Sequence, residues 1–323
     1  IDCFKPAFNY RPKQSAQYAL AISNFDSGDD NPQRYNFGFI ASTDDHTARP
    51  GTGYKQYERR KMTFATGPKS KMWEYKYKAK DPTFPELPKI KPGESQPDIE
   101  RASSFVYPGG ILAVHSEGRS KDQIWSALKN KNVYGTSGPR ILLWFDIINA
   151  PTGTEPMGSE ITMSQNPKFV VRAAGSFKQK EGCPLESYDA LSPKRLNYLC
   201  AGECYNPSNE RHIIERIEIV KITPQEYAGE AITPLIQDAW KTLSCMGKTE
   251  CVVEFEDQNY SRDSIYYVRA IQETTFAING GGQSLTSNAF NLCKGSFRTD
   301  LSDDCLAPDN ERAWSSPIYL NKP

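Results

Sequence analysis

The sequence predicts a chain of two parts, α/β followed by all-β, with the second part an antiparallel β-sandwich. Three observations predict this. The apolar run Gly110–Glu117 passes through a short loop into an amphipathic helical pattern, which makes a βα unit. After Arg140, short segments with period-two alternation are separated by turn-rich polar loops, and no long helical pattern intervenes. Between the two regimes lies Thr136-Ser137-Gly138, so the expected domains are 1–137 and 138–323.

The elements follow in order. Residues 1–36 are polar, with a short helix expected around Ser15–Ile22 and a loop at Asp26–Pro32 marked by Ser, Gly, Asn and Pro. Phe37-Gly38-Phe39-Ile40 reads as a buried strand that runs on through Ala41-Ser42-Thr43-Asp44-Asp45-His46. Residues 47–107 form a long excursion. It contains Arg49-Pro50-Gly51, a basic patch (Lys55, Arg59, Arg60, Lys61) and a Pro- and Lys-rich tract from Pro82 to Pro97, and is expected to act as a lid, wrapping arm or partner surface. The run Gly110–Glu117 is a strand covered on both faces. Ser120 caps the helix after it, and Gln123 completes a capping box. Ile124 and Leu128 share its apolar stripe, with Trp125 at the flank. Strands are then expected at Ile141–Ile148, Lys168–Ala173, Glu215–Ile222, Cys251–Phe255, Ser264–Ile271 and Ser316–Leu320. Ile217, Ile219 and Lys221 alternate with Glu218, Val220 and Ile222.

Composition narrows the function classes. The 323 residues allow a large core. Lys plus Arg equals Asp plus Glu at 39 each, so no global field recruits nucleic acid or an anionic membrane. No apolar run reaches the roughly 20 residues that span a bilayer. The eight cysteines cluster in turn-rich sequence: Cys183, Cys200 and Cys204; Cys245 and Cys251; Cys293 and Cys305. Such short closures read as disulfides of an exported protein, periplasmic or secreted. The competing zinc reading has only Cys200-x-x-x-Cys204, without a matching pair at finger spacing. Cys3 stands apart and is placed to tie the chain to something before it. The pairing cannot be deduced.

Chemistry concentrates at two strand ends. Asp44 and His46 are two residues apart, so on a strand they point the same way, and carboxylate oxygen and imidazole nitrogen are both metal-ligand types. His115 and Glu117 repeat the spacing. The expected chemistry is a divalent cation (zinc, manganese or iron) held by Asp44 and His46, which lowers the pKa of a bound water and polarises a small anionic ester. Arg49 or Arg140 would pair with a phosphate-like oxygen, and His115 or Glu117 would serve as general acid or base. Each has a plainer reading: Asp44 as a turn cap, His115 as a satisfied polar residue, Glu117 as a charge favoured by a helix N-terminus, the basic patch as solvated surface. The third histidine, His212, lies in a polar loop and is expected to face solvent. A serine-hydrolase reading fails because Gly135-Thr136-Ser137-Gly138 lacks the Gly-x-Ser-x-Gly spacing. Gly280-Gly281-Gly282 is a flexible turn and no phosphate loop. The alternating Trp73, Tyr75 and Tyr77 suit a carbohydrate-binding surface or, more simply, an ordinary strand.

Ser42-Thr43-Asp44-Asp45-His46 resembles the last metal-binding motif of PHP-type phosphoesterases, Asp-x-His at a barrel strand. More closely, the chain resembles the C-terminal half of an exported bacterial family called domain of unknown function 3604. The carrying segments are Tyr35–Ile40 with the Asp-x-His, Ala127-Leu128-Lys129, Tyr134–Ile141, Ile214–Glu218, Tyr266–Arg269 and Ala313–Ile318. The resemblance implies the C-terminal part of a PHP-like β/α barrel followed by a β-rich domain. PHP-like sites use an early His-x-His, which this chain lacks, and too few βα units precede residue 46 to build a barrel. An N-terminal half or a second chain is therefore expected to supply further metal ligands. Many members of the family are aromatic where this chain has His115. The function expected is part of an exported metal-dependent, phosphoesterase-like hydrolase. The alternative is a non-catalytic binding or assembly subunit, one part of a two-chain complex or toxin.

Overall fold

The computed structural model describes residues 15–28, 32–42, 110–200, 202–277 and 307–323. They form two packed, largely antiparallel sheets and two further two-stranded ribbons with few helices, and no closed barrel is present among them. The β/α barrel expected for the first part is not what the described residues build. The physical reason lies in β3 (Ile111–Val114) and β4 (Val133–Thr136). They flank the helix α2 (Lys121–Lys129), yet pair antiparallel with each other instead of forming the parallel crossover a barrel requires.

Before them come α1 (Ala16–Ala21), β1 (Ser23–Asn24) and β2 (Gln33–Arg34). Then follow β5 (Leu142–Ala150), β6 (Gly153–Pro156), β7 (Glu160–Thr162), β8 (Lys168–Ala174) and β9 (Phe177–Gln179). Two short helices, α3 (Leu185–Ala190) and α4 (Pro193–Cys200), make a hairpin that returns to β10 (Pro207–Arg211), the partner of β9. The remaining strands are β11 (Ile214–Ile222), β12 (Ile236–Ser244), β13 (Glu250–Glu256), β14 (Ser264–Ala277), β15 (Ala307–Ser315) and β16 (Ile318–Asn321).

The larger sheet runs β12-β11-β14-β15-β4-β3, with β16 also on β14 and β7 parallel to β16. The smaller runs β13-β8-β5-β6. Their inner faces share one core. Leu143, Phe145 and Ile147 of β5 and Phe169 and Val171 of β8 meet Ile217, Ile219, Tyr266, Val268 and Ala313 of the larger sheet. Phe169 sits at its centre, with ring centroids 5.4 Å from Phe145, 4.8 Å from Phe255 and 4.9 Å from Tyr266. The alternation of β11 sends Ile217 and Ile219 into this core. Val220 and Ile222 go to the opposite face, where Leu20 and Ala21 of α1 cover them. Ser15 caps α1 as its position before the helix requires, its hydroxyl accepting from Tyr18 N at 3.1 Å. Thr136, before the expected domain junction, is in register with Ala313, so both parts of the chain contribute to one sheet.

Residues 35–42, expected as a buried strand, form no ladder. Ile40 is 70% exposed, while Phe37 and Phe39 are half-buried against the second core. This segment lies across the sheet face, so side chains satisfy its backbone. Tyr319 Oη lies 2.9 Å from Phe37 N and donates to Phe37 O at 2.7 Å, and Phe39 N donates to Ser316 Oγ at 3.0 Å. Gly38 is needed for that approach: a Cβ there would stand 2.9 Å from Ser316 Oγ and 3.0 Å from Lys131 Cβ.

Candidate functional site

Asp44, His46 and Arg49 lie outside the described residues, as do the basic patch at Lys55–Lys61, the aromatic run at Trp73–Tyr77, Gly280–Gly282 and Cys3, Cys293 and Cys305. Ser42 is the last described residue before them. Its carbonyl accepts from Gly110 N at 3.0 Å, so residues 43–109 leave and rejoin the described fold at one point, beside β3.

His115 and Glu117 were expected to share a strand face. Strand β3 ends at Val114, so neither is on it. One further ladder-like bond, His115 N to Asn132 O at 2.9 Å, follows the last pair of β3 and β4, and the chain then bends at Ser116, whose Oγ donates to Gly118 O at 2.7 Å. His115 Nε2 lies 2.8 Å from Leu143 O. A carbonyl only accepts, so Nε2 carries the proton and donates. The ring packs 5.3 Å from Tyr134 and 5.7 Å from Trp144. Glu117 is exposed in the bend before α2. Arg140 is exposed too, and its guanidinium stacks 3.9 Å from the centroid of Tyr205. No hydrogen bond or ion pair joins any two of His115, Glu117 and Arg140. The roles expected of these three were beside Asp44 and His46, which lie outside the described residues.

The residues around His115 form a cluster that sequence reading missed. Trp144 and Asp146 lie on the outer face of β5, and Arg172 on the outer face of β8 is in register with Trp144. The Arg172 guanidinium sits 5.5 Å from the Trp144 ring, and Nη2 is 3.5 Å from Asp146 Oδ2. Burial pushes the Asp146 carboxyl above its usual range, against the pull of Arg172 and His115. The available signal was the alternation of β5 itself: Trp144 and Asp146 interrupt the outer face while Leu143, Phe145 and Ile147 point inward.

His115→Phe should keep the ring packing and lose one hydrogen bond. We expect about 1 kcal/mol of lost stability in urea unfolding, with any metal content and hydrolysis unchanged. A loss of activity at unchanged stability would instead assign His115 a catalytic role.

His212, expected to face solvent, is half-buried. Its N donates to Ser176 O at 2.9 Å, and its Nδ1 lies 2.8 Å from Glu273 Oε1, which pins the loop between β10 and β11 to β14. The disulfide reading of the cysteines is supported: Cys183 pairs with Cys204, and Cys245 with Cys251. Among the described residues, Cys183, Cys200 and Cys204 are the only three metal-type side chains whose ligand atoms lie within 4.8 Å of one another.

Residues 23–181 match the family model DUF3604, described as a protein of unknown function. The DUF3604 span covers β1 through β9 and takes in Asp44, His46, Arg49, His115, Glu117 and Arg140. It agrees with the family resemblance read from Tyr35–Ile40 and Tyr134–Ile141. Neither a curated protein nor a solved structure matches the chain. Among the described residues, no helix is long and apolar enough to cross a membrane.

Proposed function

We propose that this chain is one part of an exported metal-dependent hydrolase, phosphoesterase-like and acting on a small anionic ester, completed by an N-terminal half or a second chain. The observation that carries this reading is the open face of the β3–α2 unit within the DUF3604 span. Helix α2 has a full capping box, yet of its nine residues only Ala127 is buried. Leu112, Ile124 and Trp125 stand exposed, Trp125 at 57%. An amphipathic helix with an uncovered apolar flank is the surface that a further α/β segment would cover. The two disulfides suit an oxidising compartment. Asp44 and His46 are the ligands proposed for the cation. Asp44 and His46 lie outside the described residues.

The test is metal analysis and hydrolysis of p-nitrophenyl phosphate by native material, with Asp44→Ala and His46→Ala beside it. The expected result is bound zinc, manganese or iron, and at least a tenfold loss of both metal affinity and hydrolysis in each variant. Unchanged metal and unchanged hydrolysis in both variants would overturn the reading.

A second reading, a non-catalytic binding or assembly subunit, is favoured by His115, whose Nε2 is committed to the Leu143 carbonyl. Intact-mass analysis of native material separates the two. A copurifying chain without metal or hydrolysis supports the subunit; a copurifying chain with both supports the hydrolase.

A further inference from the structure

The bridge between Cys183 and Cys204 closes the base of the α3–α4 hairpin across 21 residues. Beside it stands a third sulfur. Cys200, the last residue of α4, is a free thiol whose Sγ lies 3.3 Å from Cys204 Sγ and 3.8 Å from Cys183 Sγ. Its S–H donates to Leu196 O at 3.1 Å, which holds the sulfur side-on to the bridge. The second disulfide, Cys245–Cys251, has no such neighbour among the described residues.

We propose that Cys183, Cys200 and Cys204 form a thiol–disulfide exchange site in which Cys204 is the shared partner. The Cys200 side chain leaves Leu196 O and turns in line with the bridge. After losing its proton to solvent, its sulfur attacks Cys204 Sγ. The Cys200–Cys204 bond forms and the Cys183–Cys204 bond breaks. Cys183 leaves with the bonding electron pair and takes a proton from solvent. One disulfide and one thiol stand on each side, so the exchange needs no oxidant or reductant.

The two isomers differ in what they hold together. With Cys183 bridged, the chain before α3 is stapled to the chain after α4. With Cys200 bridged, the link is local to the exit of α4. The hairpin base then rests on hydrogen bonds: Gly182 N to Glu203 Oε2 at 2.9 Å, Lys180 N to Asn206 O at 2.7 Å and Cys204 N to Gly182 O at 3.3 Å. The hairpin that would loosen carries Leu185, Tyr188 and Tyr198, all exposed. The released Cys183 thiol is the group that would exchange with a small external disulfide: the Cys183 sulfur bonds to one half, the external S–S bond breaks, and the other half leaves as a thiol.

The test is disulfide mapping of the full chain, incubated at mildly alkaline pH, quenched in acid, alkylated and digested without reduction. Two populations are expected, one labelled at Cys200 and the other at Cys183. Label that never reaches Cys183 would overturn the proposal, as would Cys200 bridged to Cys3, Cys293 or Cys305. In Cys183→Ser, a Cys200–Cys204 bridge is expected, with no labelled thiol left in the trio. Label on both Cys200 and Cys204, in a chain with native near-ultraviolet circular dichroism, would also overturn it. Should that variant fail to fold, the map of the native chain decides alone.

Discussion

Lys221→Met is expected to cost about 3–5 kcal/mol of folding stability. Lys221 points from β11 into the space between the sheets and forms an ion pair with Asp257, just beyond β13. The two side chains are 8% and 1% exposed. The lysine ammonium also sits 5.4 Å from the centroid of Trp240. Tyr266 donates its hydroxyl to the same carboxylate oxygen, and Asn259 N donates to the other at 3.0 Å. Methionine fills the volume of lysine but leaves a buried carboxylate without its counter-charge. Lys221→Met combined with Asp257→Asn should recover most of the loss, because the amide oxygen still accepts from Tyr266 or Asn259 and no charge remains.

The pH dependence follows from the same group. Burial pushes the Asp257 carboxyl up. The hydrogen bonds from Lys221 and Tyr266, with the lysine charge, pull it down further, so its folded pKa lies below the usual carboxylate value. A depressed folded value means the unfolded chain binds the proton more readily. The contribution is therefore present in full above the unfolded value and lost as pH falls through the folded one. Urea midpoints measured from neutral to acid pH should show this loss in the wild type. In Lys221→Met the deficit relative to wild type should shrink with acidification, because the unpaired carboxyl takes up its proton early. A deficit constant with pH would contradict the ion-pair account.

Phe169→Ala is expected to cost about 3–5 kcal/mol. Phe169 is fully buried, lies between Ile147 of β5 and Phe255 of β13 in the smaller sheet, and touches Tyr266 across the core. Truncation removes the ring where the two sheets meet and leaves a cavity lined by other rings, which collapse poorly. Phe169→Leu should cost clearly less, and equal losses for the two would mean that ring packing is not the source of the effect.

What could be read from the residues was whatever local pattern determines. The strands β5, β8, β11 and β13 emerge from alternation because each has one face in the shared core. Helix α2 emerges from Ser120 and Gln123, since a capping box is written in four consecutive positions. Long-range pairing was not legible. Nothing near Thr136 states that its sheet partner is Ala313, and that pairing joins the two expected parts in one sheet. The apolar run at Phe37–Ile40 misled for a related reason: burial against a sheet face and burial within a ladder look alike in composition. At the candidate site, His115 was noticed, but the carbonyl of Leu143 that occupies it leaves no trace in residue identity. The cysteine pairing was underdetermined for the same reason, because three sulfurs within 4.8 Å are a property of the folded chain.

The placement of β15 has a consequence for how the protein is made. Strand β15 lies between β14 and β4, and joins the oldest strands of the larger sheet, β3 and β4, to the later β11, β12 and β14. On a ribosome, β3 and β4 emerge long before residues 307–315 and must wait as a two-stranded ribbon with an unpaired edge. Closure of the larger sheet is thus a late event of biosynthesis, and a chain interrupted before residue 307 would expose the edges of β4 and β14 to aggregation.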